Sequence, residues 1–205
     1  MTTAMPLLAV DWGPVSSWVA AGVTLLAVLV AFILPWFWPW WRSPRLNVTF
    51  DKDEPTCRFT DLSGGGRAYW VRIKVENVGR GGALSCIGRF TAAWTGGEPR
   101  HDKDPMQLRW CGVPDSRGFD PIHLASGQHE FLDVFRITRG DSNLRFETFP
   151  GYAPGFPTAL EAKGEHRVRI TVIADNTEPA EVHLTVRYSG DFDALPGSLQ
   201  VAATA

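Results

Sequence analysis

Histidine and carboxylate side chains that could bind a catalytic metal begin at His129. His129 and Glu130 match the first two residues of the His-Glu-x-x-His zinc motif, in which two imidazoles on one helix face hold the metal. Asp133 occupies the position of the second histidine, and the alternation around it is typical of a strand. The segment therefore does not predict a zinc enzyme.

A second group of metal-binding residue types contains His101, Asp102 and Asp104. These residues lie in a polar segment, 95–105, that is rich in glycine and proline. Such a segment is more typical of a solvated loop than of a metal site. We adopt the loop interpretation and expect neither a metal nor a cofactor.

Phosphate-binding and calcium-binding motifs are incomplete. The glycine-rich segment Ser63–Arg67 lacks the Gly-Lys-Ser/Thr end of a phosphate-binding loop, so it predicts a hairpin connection. Asp141 begins a segment without the glycine and distal glutamate of a calcium loop. No serine lies in a Gly-x-Ser-x-Gly elbow. The expected protein is not an enzyme.

Three cysteines, Cys57, Cys86 and Cys111, lie far apart in the chain. Their odd number and their spacing predict neither a disulfide framework nor a zinc site. We interpret them as small buried residues in a reducing compartment.

Tryptophans beyond residue 42 are candidates for contact with a partner or a sugar, because an indole ring buries a large flat surface. We interpret Trp94 and Trp110 as core or partial core. Alternation over 69–78 places Trp70 on one face with Arg72 and Lys74. These three residues, Trp70, Arg72 and Lys74, form the predicted partner surface.

Alternating polar and apolar residues dominate the chain beyond Arg42. The clearest strands are 69–78 and a pair around a turn at 175–179. Shorter candidates lie at 46–50, 57–60, 84–94, 108–111, 122–124, 131–137 and 144–146. Short strands separated by turn residues, with no helix among them, predict an all-β, immunoglobulin-like antiparallel sandwich of about seven to nine strands. The turn at 77–82 contains residues that tolerate left-handed backbone angles.

The segment Tyr69–Gly79, followed by Ala83 and Cys86, resembles the strand, Asn-x-Gly turn and strand of CARDB-type, immunoglobulin-like bacterial domains. Gly164–Ile170 is similar to their late strand. The chain also resembles bacterial proteins that combine one N-terminal membrane helix with such a sandwich. The resemblance covers about a quarter of the chain. It implies a domain that lies outside the cell.

The segment Val15–Trp41 contains no charged residue. A helix that spans a bilayer needs about 20 apolar residues, and Val15–Leu34 supplies them. Prolines at 35 and 39 are expected to end the helix. An interfacial aromatic belt is formed by Trp36, Trp38, Trp40 and Trp41. We therefore predict a single transmembrane helix with the lipid bilayer as its partner.

Charge around the predicted span is asymmetric. Asp11 is the only charged residue before it, whereas Arg42 and Arg45 follow it directly. Basic residues next to a span tend to remain cytoplasmic, so we expect the C-terminal domain in the cytoplasm. A cleaved signal peptide would begin with a basic segment, and residues 1–14 contain no Lys or Arg.

Small residues recur along one face of the predicted span. They are Ala20, Thr24, Ala27 and Ala31. Small residues permit close helix approach, so a homo-oligomer through this stripe is a hypothesis, although chance is the better explanation because alanine is common in any membrane helix.

Composition limits the remaining function classes. All 20 Lys and Arg residues lie at or beyond Arg42, together with all but one of the 22 acidic residues. This near-neutral balance disfavours a nucleic-acid partner.

The expected domain organisation has four parts: a tail (1–14), a span (15–41), a sandwich (42–190) and a flexible tail (191–205). The expected function is protein interaction at the cytoplasmic membrane face; the alternative is an envelope-exposed domain for a glycan or surface protein.

Overall fold

The computed structural model describes residues 14–62, 64–101, 104–141, 143–149, 159–161 and 164–204. Within these ranges, six side chains lie outside the description: Ser16, Trp36, Pro39, Trp40, His101 and Asp115. Almost all of the expected N-terminal tail and the loop at 150–157 also lie outside the described residues. The chain divides into two compact units, residues 1–42 and 43–205.

The first unit contains helix α1, Val15–Trp41. Within it, Ser17–Pro35 forms a stretch of 19 residues that is long and apolar enough to cross a membrane. The described large apolar side chains of α1 are exposed, from 44% at Val30 to 78% at Val15. A helix that is apolar on all sides requires an apolar environment, which a bilayer would supply.

The expectation that Pro35 and Pro39 end the helix is wrong, because α1 continues to Trp41. A proline removes one backbone donor and strains one turn, but it does not prevent the following residues from forming helix hydrogen bonds. The Arg42 amide donates to the Trp38 carbonyl at 3.0 Å, so the hydrogen-bonded turn persists beyond both prolines.

The second unit is built from β-strands. In chain order they are β1 (Leu46–Thr49), β2 (Cys57–Asp61), β3 (Arg67–Asn77), β4 (Ala83–Thr95), β5 (Glu98–His101), β6 (Met106–Gln107), β7 (Arg109–Trp110), β8 (Ile122–Leu124), β9 (His129–Thr138), β10 (Leu144–Phe146), β11 (Ala159–Leu160), β12 (Gly164–Ala174), β13 (Thr177–Tyr188) and β14 (Leu199–Thr204). A short 3-10 turn covers Asp115–Arg117.

These strands form two antiparallel sheets, which confirms the predicted all-β sandwich with one N-terminal helix. The first sheet has the order β1-β3-β9-β10-β11, with β2 beside β3 and β7 beside β9. The second has the order β14-β13-β12-β4-β5, with β6 and β8 beside β4. The predicted hairpins β2–β3 and β12–β13 are both present.

The core lies between the two sheets. Val71 and Ile73 of the first sheet and Ile170 and Leu184 of the second are fully buried. A Cβ atom at Gly88 would lie 2.2 Å from the Leu132 side chain, so this glycine leaves room for a leucine from the opposite sheet. Inward-facing apolar residues of both sheets thus interdigitate as in other sandwiches.

The chain crosses from the first sheet to the second through a turn held by Asn77. The Asn77 side-chain Nδ2 donates to the carbonyls of Gly81 (2.7 Å) and Leu124 (2.9 Å), and its Oδ1 accepts from the backbone amides of Arg45 and Gly79. The glycines of this turn have no positive φ, so their tolerance of left-handed backbone angles is not used here. Gly79 is needed instead because a Cβ there would lie 2.4 Å from the Arg45 nitrogen.

The strand count and the C-terminal tail also differ from expectation. The described residues contain 14 strands, because pieces of two to four residues extend the sheet edges. One of them, β5, lies in the segment expected to be a loop. The flexible tail expected at 191–205 is wrong over β14, which pairs with β13. Phe192 and Leu195, in the connection between these strands, are buried in the core cluster and hold the connection in place.

Candidate functional site

The aromatic end of α1 contains the predicted interfacial residues. The Phe37 and Trp41 rings stack with centroids 5.5 Å apart, and the Arg42 guanidinium lies 4.4 Å from the Trp38 ring centroid. Trp36 and Trp40 belong to the helix, but their side chains lie outside the description. An arginine beside an indole is compatible with a headgroup region, where one end of the pair is apolar and the other polar.

Arg45 belongs to the second unit. Its side chain is exposed, while its backbone amide donates to Asn77 at 3.2 Å. The position therefore combines a free surface cation with a backbone that is fixed to the sandwich.

The predicted partner surface is not an open surface. Trp70 is only 6% exposed and Arg72 only 8%, although both lie on the outer face of the first sheet. Lys74 is half-buried and pairs with Glu76 at 2.7 Å. The prediction that these three residues face solvent is therefore wrong for Trp70 and Arg72. Alternation gave the correct face, but long side chains from the neighbouring strands cover it.

A buried ion pair explains the position of Arg72. Its Nε lies 2.6 Å from an Asp133 carboxylate oxygen, and Arg109 approaches the other oxygen at 4.0 Å. Arg72 also donates to the Pro55 carbonyl at 3.3 Å. Burial raises the pKa of Asp133, against the lowering effect of Arg72. This cluster ties three parts of the chain together and is structural in character.

Trp94 has the opposite surroundings. It is half-buried on the outer face of the second sheet and lines an open cleft of about 490 Å³ with Gly96, Gly97, Glu165 and Arg167. The two glycines have positive φ angles and carry no side chain that could cover the indole. The Arg167 guanidinium lies 5.9 Å from the Trp94 ring centroid. One aromatic face therefore lies next to polar groups and remains accessible.

The surface beside this cleft is cationic. Arg169 donates to the Thr91 hydroxyl at 3.2 Å, and Arg187 pairs with Glu165 through an Nε–Oε2 contact of 2.7 Å. Burial lowers the pKa of His183, and the nearby guanidinium groups of Arg167 and Arg169 lower it further. Among the described residues, these two arginines form no ion pair with a carboxylate.

The cysteines are free thiols in the described structure. Cys57 and Cys86 are buried, and Cys111 is half-buried. Burial raises the pKa of both Cys57 and Cys86 to about 11. Burial and the nearby Asp133 carboxylate raise the pKa of Cys111 as well. Thiolate is the reactive form of cysteine, so these residues are poorly suited to nucleophilic catalysis.

A buried histidine, His166, lies in a smaller pocket of about 230 Å³ together with Arg100. Its Nε2 donates to the Glu161 carbonyl at 2.7 Å, which leaves Nδ1 to accept from the Thr95 hydroxyl at 3.0 Å. Burial lowers the pKa of His166, so the ring is neutral near pH 7. With both nitrogens bonded, the histidine has a structural role.

The predicted loop at 95–105 provides no described metal site. The His101 side chain and Asp102 lie outside the description, and Asp104 has an interaction partner. Among the described residues, no three His, Cys, Asp or Glu side chains come together as metal ligands. His129 and Asp133 lie in β9, a strand, as the sequence predicts.

Sequence reasoning missed the importance of three residues. Trp94 is partly buried, which agrees with its interpretation as core or partial core, but its place beside an open cleft is signalled only by the glycines after it. The structural roles of the paired Asp133 and the buried Asn77 could not be predicted from local sequence, because their partners lie far away in sequence.

Comparison of the chain with protein-family models, with curated proteins and with solved structures yields no match.

Proposed function

We propose that this chain is a single-pass membrane protein whose β-sandwich is a non-enzymatic protein-interaction module at the cytoplasmic face of the cell membrane. The observation that carries the proposal is helix α1, with its exposed apolar side chains and its aromatic end followed by Arg42. An anchor confines the domain to a surface and so raises the effective concentration of partners at that surface.

Charge and thiol chemistry support the cytoplasmic orientation. Arg42 and Arg45 follow the span directly, and basic residues near a span tend to stay inside. The three cysteines are unpaired thiols, which is the form that a reducing compartment maintains.

The open face of the second sheet supports the interaction role. Trp94 offers an accessible indole, and Arg167 and Arg169 lie beside it without a carboxylate partner among the described residues. Tryptophan and arginine are the residue types most enriched at the energetic centres of protein interfaces. In the first sheet, in contrast, the tryptophan and arginine, Trp70 and Arg72, pack against each other.

The Trp94 cleft also favours the alternative function. An indole face beside a carboxylate and a guanidinium can stack on a sugar ring and bond its hydroxyl groups. A glycan ligand would require the domain to lie outside the cell. Orientation therefore separates the two candidate functions.

Cysteine labelling tests the orientation. Ser116 is exposed, so Ser116→Cys in a Cys111→Ala background gives one accessible thiol on the sandwich. We expect an impermeant maleimide to label it only after the cells are permeabilised. Thr3→Cys in the same background serves as the matched control and is expected to react in intact cells. Rapid labelling of Ser116→Cys in intact cells would overturn the proposal and favour the glycan-binding alternative.

A further inference from the structure

The outer edge of β14 has unusual features for a sheet edge. The strand Leu199–Thr204 pairs with β13 on one side, and no other strand of the described residues pairs with its second side. An unpaired edge presents a row of backbone donors and acceptors that another strand can use.

The register identifies these groups. The Ser189 amide donates to the Ser198 carbonyl at 3.1 Å, so residue 198 directs its backbone groups towards β13. Hydrogen-bonded pairs alternate along an antiparallel ladder, so residues 200, 202 and 204 also face β13. The amides of Val201 and Ala203 therefore point outwards. The carbonyls of 199, 201 and 203 point the same way.

Other edges of the sandwich carry the usual protection against strand addition. Strand β5 contains Pro99 and charged residues, and β2 contains Arg58 and Asp61. The edge strands β1, β6, β7, β8 and β11 have only two to four residues. In contrast, β14 has six residues with no charge and no proline. Natural edge strands avoid this combination unless the edge is used.

The side chains of β14 fit an added strand as well. Leu199 and Val201 face the core and are 8% and 4% exposed. Apolar side chains of an added strand would continue this row. Gln200 and Ala202 alternate with them on the outer face and are exposed, so neither blocks an approaching backbone.

Charge distinguishes between a second copy of the chain and a different protein. Arg187 lies directly beside Gln200 in the ladder, and Arg167 and Arg169 lie one strand further in. Among the described residues of β4, β12 and β13, this outer face carries four arginines, these three and Arg89, and two carboxylates, Glu165 and Glu181. Pairing two copies through β14 would place two cationic faces side by side, which costs free energy.

We propose that the free edge of β14 binds an extended segment of a partner protein, which adds as a further strand and carries acidic residues on its outward side. Backbone hydrogen bonds would supply most of the affinity, and side-chain pattern and charge would supply the selectivity. This inference names the partner of the proposed interaction module and rests on that proposed function.

Two synthetic peptides test the edge with the full chain in detergent micelles. The acidic probe is Val-Glu-Val-Thr-Val-Glu-Val, and the basic probe replaces both Glu residues with Lys. We expect saturable binding of the acidic probe, measured by fluorescence anisotropy. The basic probe is expected to bind several-fold more weakly at low salt, with a smaller difference at high salt.

Ala203 provides a matched pair of variants. Ala203→Pro removes an amide that points outwards and leaves the β13–β14 hydrogen bonds intact, whereas Ala203→Val keeps the amide and favours a strand. We expect Ala203→Pro to weaken acidic-probe binding by about ten-fold or more and Ala203→Val to leave it nearly unchanged. Hydrogen exchange of the Val201 and Ala203 amides in the unmodified chain should slow when the probe is added.

Three results would overturn the inference: no saturable binding of the acidic probe, equal binding by both Ala203 variants, or a dimer of the chain that Ala203→Pro abolishes. Each of them leaves the labelling result for Ser116→Cys unaffected. Failure of the edge proposal is therefore distinguishable from failure of the proposed cytoplasmic orientation.

Discussion

Both outer faces of the sandwich place a tryptophan beside arginines, yet the two indoles have different environments. Trp70 lies within 5.7 Å of Arg72 and 5.5 Å of Arg136 by guanidinium-to-centroid distance, and is 6% exposed. Trp94 contacts one guanidinium, that of Arg167, and lines an open cleft. The first arrangement is closed by the protein itself, and the second leaves an aromatic face available.

Position in the sheet explains the difference. Trp70 lies in a central strand, with Arg58 opposite it on one side and Arg136 on the other. Trp94 lies where β4 approaches a hairpin end and is flanked by Pro99 and the glycines that follow. Long flexible side chains can cover an aromatic ring, whereas glycine cannot. The outward direction of a tryptophan is therefore insufficient evidence for a binding surface.

The largest difference in stability is expected when the indole rings of Trp70 and Trp94 are removed one at a time. Trp70→Ala should lower the free energy of unfolding by about 3–5 kcal/mol, because it leaves a buried cavity. Trp94→Ala should lower it by about 1–2 kcal/mol, because the ring is partly buried but its removal enlarges an open cleft and leaves no closed cavity. Urea denaturation followed by circular dichroism measures both.

Trp70→Phe is the control for the closed face. The Trp70 Nε1 atom is buried without a hydrogen-bond partner among the described residues, so phenylalanine loses packing volume but no bond. We expect this variant to be clearly more stable than Trp70→Ala. Equal unfolding free energies for Trp70→Ala and Trp94→Ala would contradict the distinction between a closed and an open face.

The buried and the exposed ion pair should also differ in how much they contribute to stability. Asp133→Asn leaves the buried Arg72 without its counter-charge and should cost about 3 kcal/mol of stability. Glu165→Gln disrupts the exposed pair with Arg187 and should cost less than about 1 kcal/mol. The combined change Arg72→Met and Asp133→Leu should recover most of the loss, since no buried charge remains. A double variant as unstable as Asp133→Asn would show that the pair is not the cause.

The positive potential of the outer face of the second sheet should have a smaller effect, on the pKa of His183. Arg167 contributes to the lowered pKa of His183, so Arg167→Gln should raise that pKa towards its usual value. The shift is measured by NMR titration of the imidazole, and Arg89→Gln serves as a control in the same sheet.

The same pKa affects stability. Because the pKa of His183 is depressed in the folded state, this residue disfavours folding only as the pH falls through and below 6.5. In Arg167→Gln this acid-dependent loss should decrease, and an unchanged His183 pKa would count against a cationic face.

Much of the architecture could be predicted from local patterns. The uncharged run at 15–41 and the alternation of β3, β12 and β13 each follow from residues that are close in sequence. Strand β14 was missed because a turn-rich segment with Gly190 and Gly197 precedes it and its own pattern is short. Its place in the sheet depends on pairing with β13, which local pattern does not encode.

The candidate site was harder to predict than the fold. Alternation assigned Trp70 to the outer face correctly, but its burial depends on Arg136, which lies 66 positions further along the chain in a paired strand. The openness of Trp94 likewise depends on the hairpin after it and on β12 beside it. Exposure is a property of neighbours brought together by the fold, so sequence order alone does not determine it.

In-cell photo-crosslinking tests the central claim, a membrane-anchored sandwich that meets a protein through its second sheet. A benzophenone amino acid at Thr185 would lie on the outer face of that sheet, between Arg167 and Ala202, and one at Asn47 would lie on the first sheet. We expect a discrete protein adduct from Thr185 in the membrane fraction and none from Asn47. Adducts from Asn47 with none from Thr185 would contradict the account.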